Sequence, residues 1–256
     1  MMPVAFFGHG APTNALATNR YTRAWRTYAA ALPPPRAILM VSAHWYVPGL
    51  RVTGAARPET VHDFNGGFPR ALFDFRYPAP GSRELAERVM ELLAPARVLR
   101  DDGWGFDHGA YSVLAHLFPA ADVPVVQLDL DRALPARQHY QLARRLAPLR
   151  DEGVLIAGSG NLVHNLELAE FGPGVRPSAW AERYQERLLE FIRAGDHERL
   201  IDYRANGSDA KLSIPTPDHY LPFLYVLAQQ RAGESLDVLV QGVEAASISM
   251  LSLGTR

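Results

Sequence analysis

Short apolar runs alternate with amphipathic stretches along almost the whole chain. The runs are continuous, which is typical of strands that helices cover on both faces. They predict strands at 3–7, 37–42, 123–130, 153–157 and 236–241. The stretches between the strands repeat apolar residues every three or four positions, the spacing of helices that bury one face. They predict helices at 82–94, 135–150, 178–194 and 221–231.

The alternation of strands and helices predicts an α/β fold, with helices flanking a largely parallel or mixed central sheet. Ser82 followed by Glu84 gives the first predicted helix a capping residue and an acidic first turn. Two segments rich in Gly and Pro, 60–81 and 206–220, are expected to be long functional loops. No repeat or linker interrupts the pattern, so residues 1–256 are predicted to form a single catalytic domain.

Composition narrows the class of protein. Of the 256 residues, 48% are hydrophobic and 21% are charged, which is typical of a globular protein. The formal net charge of -1 argues against nucleic-acid binding through a basic surface. The chain has no cysteine, which excludes disulfides and thiolate metal sites. No apolar run could span a bilayer and no signal peptide is evident, so we expect a cytoplasmic protein without membrane or nucleic-acid partners.

Four histidines lie at turns marked by Gly, Ser or Pro: His9, His44, His164 and His219. The first three come at or after the end of a predicted strand, and His219 precedes the last predicted helix. Ligands of open α/β sheets bind at the carboxyl ends of the strands. Because neutral imidazole is the commonest protein ligand for transition metals, the pattern predicts a metal site built from distant segments of the chain.

Two further residues have alternative interpretations. His108 follows Asp107 between Gly105 and Gly109, which suits either an acid–base role near the metal or a role in stabilising a turn. Glu244 follows the last predicted strand, so it either completes a site of two histidines and one carboxylate or forms an ordinary salt bridge. The chain contains neither a Gly-x-Ser-x-Gly nor a His-Glu-x-x-His motif, so serine hydrolases and zincins lack support.

At these same motifs the sequence resembles the class III (LigB-type) extradiol ring-cleavage dioxygenases, in the DOPA 4,5-dioxygenase branch. The resemblance covers the chain in order through the following motifs: Gly8-His9-Gly10-Ala11-Pro12, Ser42-Ala43-His44-Trp45, His62-Asp63-Phe64, Tyr77-Pro78-Ala79-Pro80-Gly81, Trp104-Gly105-Phe106-Asp107-His108-Gly109, Gly158-Ser159-Gly160-Asn161, Pro217-Asp218-His219-Tyr220 and Ser247-Ile248-Ser249-Met250-Leu251. One such motif would be weak evidence, but the ordered set is strong.

The resemblance implies roles for the histidines. His9 and His44 would be metal ligands, and His219 would be a further ligand or a pocket residue. His164 occupies the acid–base position of the family, although in this branch it also approaches the metal, particularly when zinc replaces iron. His108 is the second candidate for proton transfer. Fe(II) is the metal expected for activity, and Zn(II) is expected to occupy the site in some preparations.

The implied activity is the cleavage of a small catechol, DOPA or another, by O2 to a muconic semialdehyde. The near-zero net charge fits either a monomer or a homodimer. Two other functions remain open on the residues alone. A zinc-dependent hydrolase would use the same histidines to activate water, and a non-enzymatic protein would bind metal without turnover.

Overall fold

A central eight-stranded sheet organises the computed structural model, which describes residues 1–256. A separate pair of two-residue strands, β8 (Val243–Glu244) and β9 (Ile248–Ser249), lies outside it. The strands of the main sheet are β1 (Val4–Gly8), β2 (Ala37–Val47), β3 (Leu50–Thr53), β4 (Val98–Asp101), β5 (Val125–Asp131), β6 (Val154–Gly160), β7 (Asp237–Val240) and β10 (Ser252–Gly254).

The sheet is mixed, with a parallel centre and antiparallel pairings towards its edges. Its strand order is β4-β3-β5-β2-β6-β1-β10-β7. The four central strands, β5, β2, β6 and β1, are parallel to one another. On one side β3 is antiparallel to β5, and on the other β10 is antiparallel to both β1 and β7. The predicted α/β class with a mixed sheet is confirmed.

Helices cover both faces of the sheet. They are α1 (Arg20–Ala30), α2 (Arg70–Asp74), α3 (Arg83–Leu93), α4 (His108–Leu117), α5 (Ala136–Arg144), α6 (Pro148–Asp151), α7 (Ala179–Ala194), α8 (His197–Ile201), α9 (Ser208–Ser213) and α10 (Leu221–Leu227), with short 3-10 helices at Pro12–Ala15, Leu166–Leu168 and Tyr203–Ala205. None of the helices has the length and apolar character needed to cross a membrane.

The two faces explain the continuous apolar runs of the central strands. In β1, Phe6 packs into a core with α3, α5, α7 and α10, whereas its neighbour Phe7 packs into a second core with α1 and α4. In β2, Leu39 and Met40 divide between the two cores in the same way. Because successive side chains point to opposite faces of a sheet, both sets of positions must be apolar.

All five predicted strands are present, with ends displaced by up to five residues, but the predictions omitted several elements. Strands β3 and β4 are four residues long, and each carries an arginine, so they give no apolar run. Helix α4 is buried almost all round and therefore lacks a polar face. The segments 60–81 and 206–220, predicted as loops, contain helices α2 and α9. The helix predicted at 135–150 is interrupted between α5 and α6, where Pro148 begins a new helix.

A large bulge in β2 shapes the carboxyl edge of the sheet. Val41 pairs with Leu128 and Tyr46 with Leu130, so four residues of β2 lie opposite a single residue of β5. Bulges bend a strand and redirect its side chains, and they are common beside functional sites. His44 lies within this bulge, next to the ends of β1 and β6.

Candidate metal centre

Three of the four predicted histidines converge at the carboxyl edge of the sheet. His9 directly follows β1, His44 lies in the β2 bulge, and His219 precedes α10. One ring nitrogen from each lies within 4.8 Å of the others, and the Nε2 atoms of His9 and His44 are 3.1 Å apart. His9 and His219 are buried, and His44 is largely so. The structure therefore brings together residues that are up to 210 positions apart in the chain.

The hydrogen bonds of His9 determine which ring nitrogen is free. Its Nδ1 lies 2.9 Å from the hydroxyl oxygen of Ser159 on β6. That hydroxyl donates its own proton to the carbonyl of Gly109, at 2.6 Å, so it accepts the proton of His9 Nδ1. The neutral ring of His9 thus presents an unprotonated Nε2 to the other two histidines.

Carboxylates hold the other two rings in the same way. His44 Nδ1 donates to Oδ2 of Asp63 at 3.0 Å, and His219 Nδ1 donates to Oδ2 of Asp218. An imidazole that donates from Nδ1 to a carboxylate has its Nε2 lone pair free, the arrangement found around metal-bound histidines. All three Nε2 atoms are therefore available as ligands.

The donor set fits a transition metal. Two nitrogens at about 2.1 Å from one ion are about 3.0 Å apart at a right angle and about 3.4 Å apart at the tetrahedral angle, a range that contains the observed 3.1 Å. Burial and the neighbouring histidines lower the pKa of His9 and of His219 well below the usual value, which keeps these rings neutral. For His44, burial lowers the pKa, but Asp63 and the other nearby carboxylates raise it above its usual value. Three imidazoles suit zinc and iron.

Asp63 connects the centre to His108. Its Oδ1 accepts hydrogen bonds from the backbone N–H and from Nδ1 of His108, at 2.9 and 3.0 Å. The ring centroids of His108 and His44 are 3.8 Å apart, so both imidazoles share one carboxylate. Burial and the neighbouring imidazole of His44 lower the pKa of His108 despite its bond to Asp63. His108 therefore lies beside the three-histidine group with its Nε2 free.

His164 lies against the group but outside it. Its ring stacks on that of His219, with centroids 3.5 Å apart and planes 5° apart. The backbone of His164 is fixed by a hydrogen bond to Ser213 and a bridge to Ile248, whereas its ring makes its closest contact with the ring of His219. Burial lowers the pKa of this imidazole to about 4.

Glu244 takes part in a salt bridge, the second of the two alternatives given by the sequence. Its carboxylate accepts a hydrogen bond from the hydroxyl of Tyr21 at 2.5 Å and lies 3.8 Å from the guanidinium of Arg20. It is half exposed and does not belong to the group of ligating nitrogens. Two other carboxylates near strand ends, Asp129 and Asp131, accept hydrogen bonds from backbone N–H groups at the start of β3 and beside it.

Three further histidines, His116, His139 and His197, lie on helices and have hydrogen-bond partners outside the three-histidine group. His116 and His139 are buried and bound to backbone carbonyls, and His197 bonds to Tyr140 and Gln230. Aromatic packing around the centre has two main contacts. Trp45 is buried and stacks on Trp104, whereas Phe64 approaches the ring of His108 to 5.7 Å.

Sequence reasoning missed the roles of Asp63, Asp218 and Ser159. Asp218 does not cap the last helix, because α10 begins at Leu221 with Tyr220 at the cap position. Asp218 instead accepts the proton of the adjacent His219 ring. The signal available was the pairing of Asp with His in two motifs, His62-Asp63 and Asp218-His219, but neither pairing shows which histidine the carboxylate will hold.

A buried group of three histidine nitrogens at the carboxyl edge of an α/β sheet is typical of sites at which enzymes hold a single metal ion. Residues 9–233 match the family described as the catalytic LigB subunit of aromatic ring-opening dioxygenase. The chain therefore belongs to the LigB family, and it is an aromatic ring-opening dioxygenase of the extradiol type.

Similar proteins come from bacteria and plants. The chain is 46% identical to the 4,5-DOPA dioxygenase extradiol of Escherichia coli K12, an alignment that covers 98% of this chain and 94% of the relative. It is 38% identical to the protein of the same name from Beta vulgaris, over 90% and 87% of the two chains. The crystal structure of an uncharacterized protein from Escherichia coli K12 superposes with a TM-score of 0.85 at 41% identity, covering 99% of each chain.

Proposed function

We propose that this dioxygenase opens the ring of a small catechol, DOPA or a close analogue, at an Fe(II) ion held by His9, His44 and His219. The observation that carries the proposal is the convergence of three Nε2 lone pairs, each with its Nδ1 already bonded. The names of the relatives support a DOPA-like substrate.

The bound metal would acidify a coordinated catechol hydroxyl and bring the catechol and O2 together. The protein's part is to hold the ligands and to move protons. Ser159, Asp63 and Asp218 keep the three rings in the ligand tautomer, so little rearrangement accompanies metal binding.

Proton transfer is assigned to His164 and His108. The His164 ring lies beside a ligand, so it accepts the proton of a catechol hydroxyl and returns it later in the cycle. His108 donates from Nδ1 to Asp63, which leaves its Nε2 as the exchanging atom. The ring of Phe64, next to His108, provides an apolar surface against which a flat aromatic substrate can lie.

The activity is tested by mixing Fe(II)-loaded protein with L-DOPA in air and without oxygen. We expect O2 uptake and a yellow semialdehyde in air, and neither without oxygen. Turnover that does not depend on oxygen would contradict the proposal and favour a zinc-dependent hydrolase. Zinc loading is the metal control, because zinc binds the same nitrogen ligands but has no redox chemistry.

The residue roles are tested by two variants and one control. His9→Ala should lose stoichiometric metal and activity together. His164→Ala should retain metal and lose turnover by about 100-fold or more, the usual contribution of a general base. Parallel loss of metal in His164→Ala would identify His164 as a ligand instead. His197→Ala removes a histidine remote from the centre and should change neither property.

The location and the oligomeric state of the protein are expectations that do not bear on the chemistry. The cytoplasmic location expected from the sequence stays a prediction, as does the choice between monomer and homodimer. Neither choice alters the proposed centre, because all of its ligands come from one chain.

A further inference from the structure

A cavity of about 570 Å³ lies next to the metal centre in the chain, at the carboxyl edge of the sheet. Its lining includes Tyr46, which is two residues after His44 in the sequence, and Pro217, which is two residues before His219. Consecutive Cα atoms are about 3.8 Å apart, so these two walls lie within about 7.6 Å of the ligand backbones. Arg132, which follows β5 directly, forms a third wall. The cavity therefore lies close to the metal ligands, although none of the three ligand histidines lines it.

The lining of the cavity carries more positive than negative charge. Its lining contains three arginines and one acid, Asp202. Arg137 is paired with Glu198 at 2.7 Å, but Arg132 and Arg204 form no ion pair. Guanidinium groups bind carboxylates through two parallel hydrogen bonds, which makes two unpaired arginines in one cavity a suitable anion site.

The start of helix α5 adds to this positive environment. The lining includes its first residues, Ala136 and Arg137, whose backbone N–H groups have no acceptor within the protein. Pro135 precedes them and supplies no capping side chain. The free N–H groups and the dipole of a nine-residue helix favour an anion at this end.

Two tyrosines complete the polar lining and connect it to the metal centre. Tyr46 and Tyr203 both line the cavity. Tyr46 thus lines the same cavity as the unpaired Arg132 and is two residues from the metal ligand His44.

We propose that this cavity binds the carboxylate on the side chain of the catechol substrate, with Arg132 and Arg204 as the residues that recognise it. The inference rests on the proposed catechol-cleaving function. The cavity on the other side of the centre, of about 410 Å³, fits a carboxylate poorly. There Arg20 is already paired with Glu244, and Glu170 adds a further negative charge.

The test compares a carboxylated and an uncharged catechol. Arg132→Ala and Arg204→Ala should each raise KM for L-DOPA about tenfold or more, the effect of losing a hydrogen bond to a charged group. Neither variant should change KM or kcat for 4-methylcatechol, which has no carboxylate. Arg144→Ala removes the same charge from the far end of helix α5 and serves as the matched control.

An equal rise in KM for both catechols, or no change in KM for either, would overturn the carboxylate site and leave the proposed function standing. Failure of the wild-type protein to cleave either catechol would instead contradict the proposed function.

Direct binding gives a readout that does not depend on turnover. L-Tyrosine and tyramine differ in the carboxylate, and neither is a catechol. Isothermal titration of the metal-loaded protein should show tighter binding of L-tyrosine, and the double variant Arg132→Ala/Arg204→Ala should lose that advantage. Equal affinities in the wild-type protein, or binding of inorganic phosphate that L-tyrosine does not displace, would contradict a substrate carboxylate site.

Discussion

Replacing Asp63 tests whether the hydrogen bonds to the Nδ1 atoms of the ligand histidines determine metal affinity. Its two oxygens serve different histidines, Oδ2 accepting from His44 and Oδ1 from His108. Burial raises the pKa of Asp63, but the hydrogen bonds from His108 and His44 outweigh burial and hold this pKa well below its usual value. The group is therefore a carboxylate throughout the working pH range. Asp63→Asn keeps the shape of the side chain but retains one acceptor oxygen, so one imidazole loses its partner.

The expected effect is large enough to measure. Loss of a hydrogen-bond partner of a metal-bound histidine lowers metal affinity or activity by about 10- to 100-fold, or about 1.4 to 2.7 kcal/mol. Since Asp63 supports a proposed ligand and a proposed proton carrier, we expect the metal affinity and kcat of Asp63→Asn both to fall. Zinc affinity is measured by competition with a chromophoric chelator, and kcat is measured with L-DOPA after Fe(II) loading.

The control replaces a second aspartate of the same segment. Asp74 is exposed and pairs with Arg70 one helical turn away, so Asp74→Asn should alter metal affinity and kcat less than twofold. Urea unfolding of both metal-free variants shows whether Asp63→Asn is folded. A folded Asp63→Asn that keeps both zinc affinity and kcat within twofold of wild type would refute this reasoning.

Two predictions concern stability. Burial lowers the pKa of His139 to about 4, so between pH 6.5 and about 4 the unfolded state binds a proton that the folded state excludes, and stability should fall by about 3 kcal/mol as the pH drops through this range. In urea unfolding at several pH values, His139→Gln should show a shallower slope than wild type, and equal slopes would contradict the assignment. Gly105→Ala places a Cβ 1.9 Å from the backbone oxygen of Glu59 and should destabilise the protein by about 3 kcal/mol, whereas Gly66→Ala meets nothing within 4 Å and should change stability by less than about 1 kcal/mol. Equal urea midpoints for the two glycine variants would contradict the contact.

The predictable parts of the fold were those whose sequence pattern directly reflects burial. The central strands β1, β2, β5 and β6 are buried on both faces and therefore appear as unbroken apolar runs. Strand β3 was missed because its short length and Arg51 give no such run. Helix α4 was missed because its apolar residues surround the helix and leave no polar stripe for periodicity to detect.

For the site, the chain positions of the histidines could be predicted, but their spatial grouping could not. All four of these histidines reach the same edge of the sheet, yet three direct nitrogens to one point while His164 stacks on His219. That difference depends on the β2 bulge and on the loop before α10, neither of which has a local sequence signature. Glu244 follows β7 in sequence, but it lies in the separate strand β8, where the hydroxyl of Tyr21 on α1 binds its carboxylate.

The centre depends on sheet register as well as on its ligands. The hydrogen bond at each Nδ1 fixes the tautomer that leaves Nε2 unprotonated and facing the centre. The acceptor for His9 is Ser159 on the neighbouring strand, which the pairing of Phe7 with Ser159 sets beside it. A slip of one residue between β1 and β6 would turn Ser159 to the opposite face of the sheet and remove that acceptor. The same pairing that buries the core therefore selects the tautomer of His9, so an error in register would damage the stability of the sheet and the metal centre together.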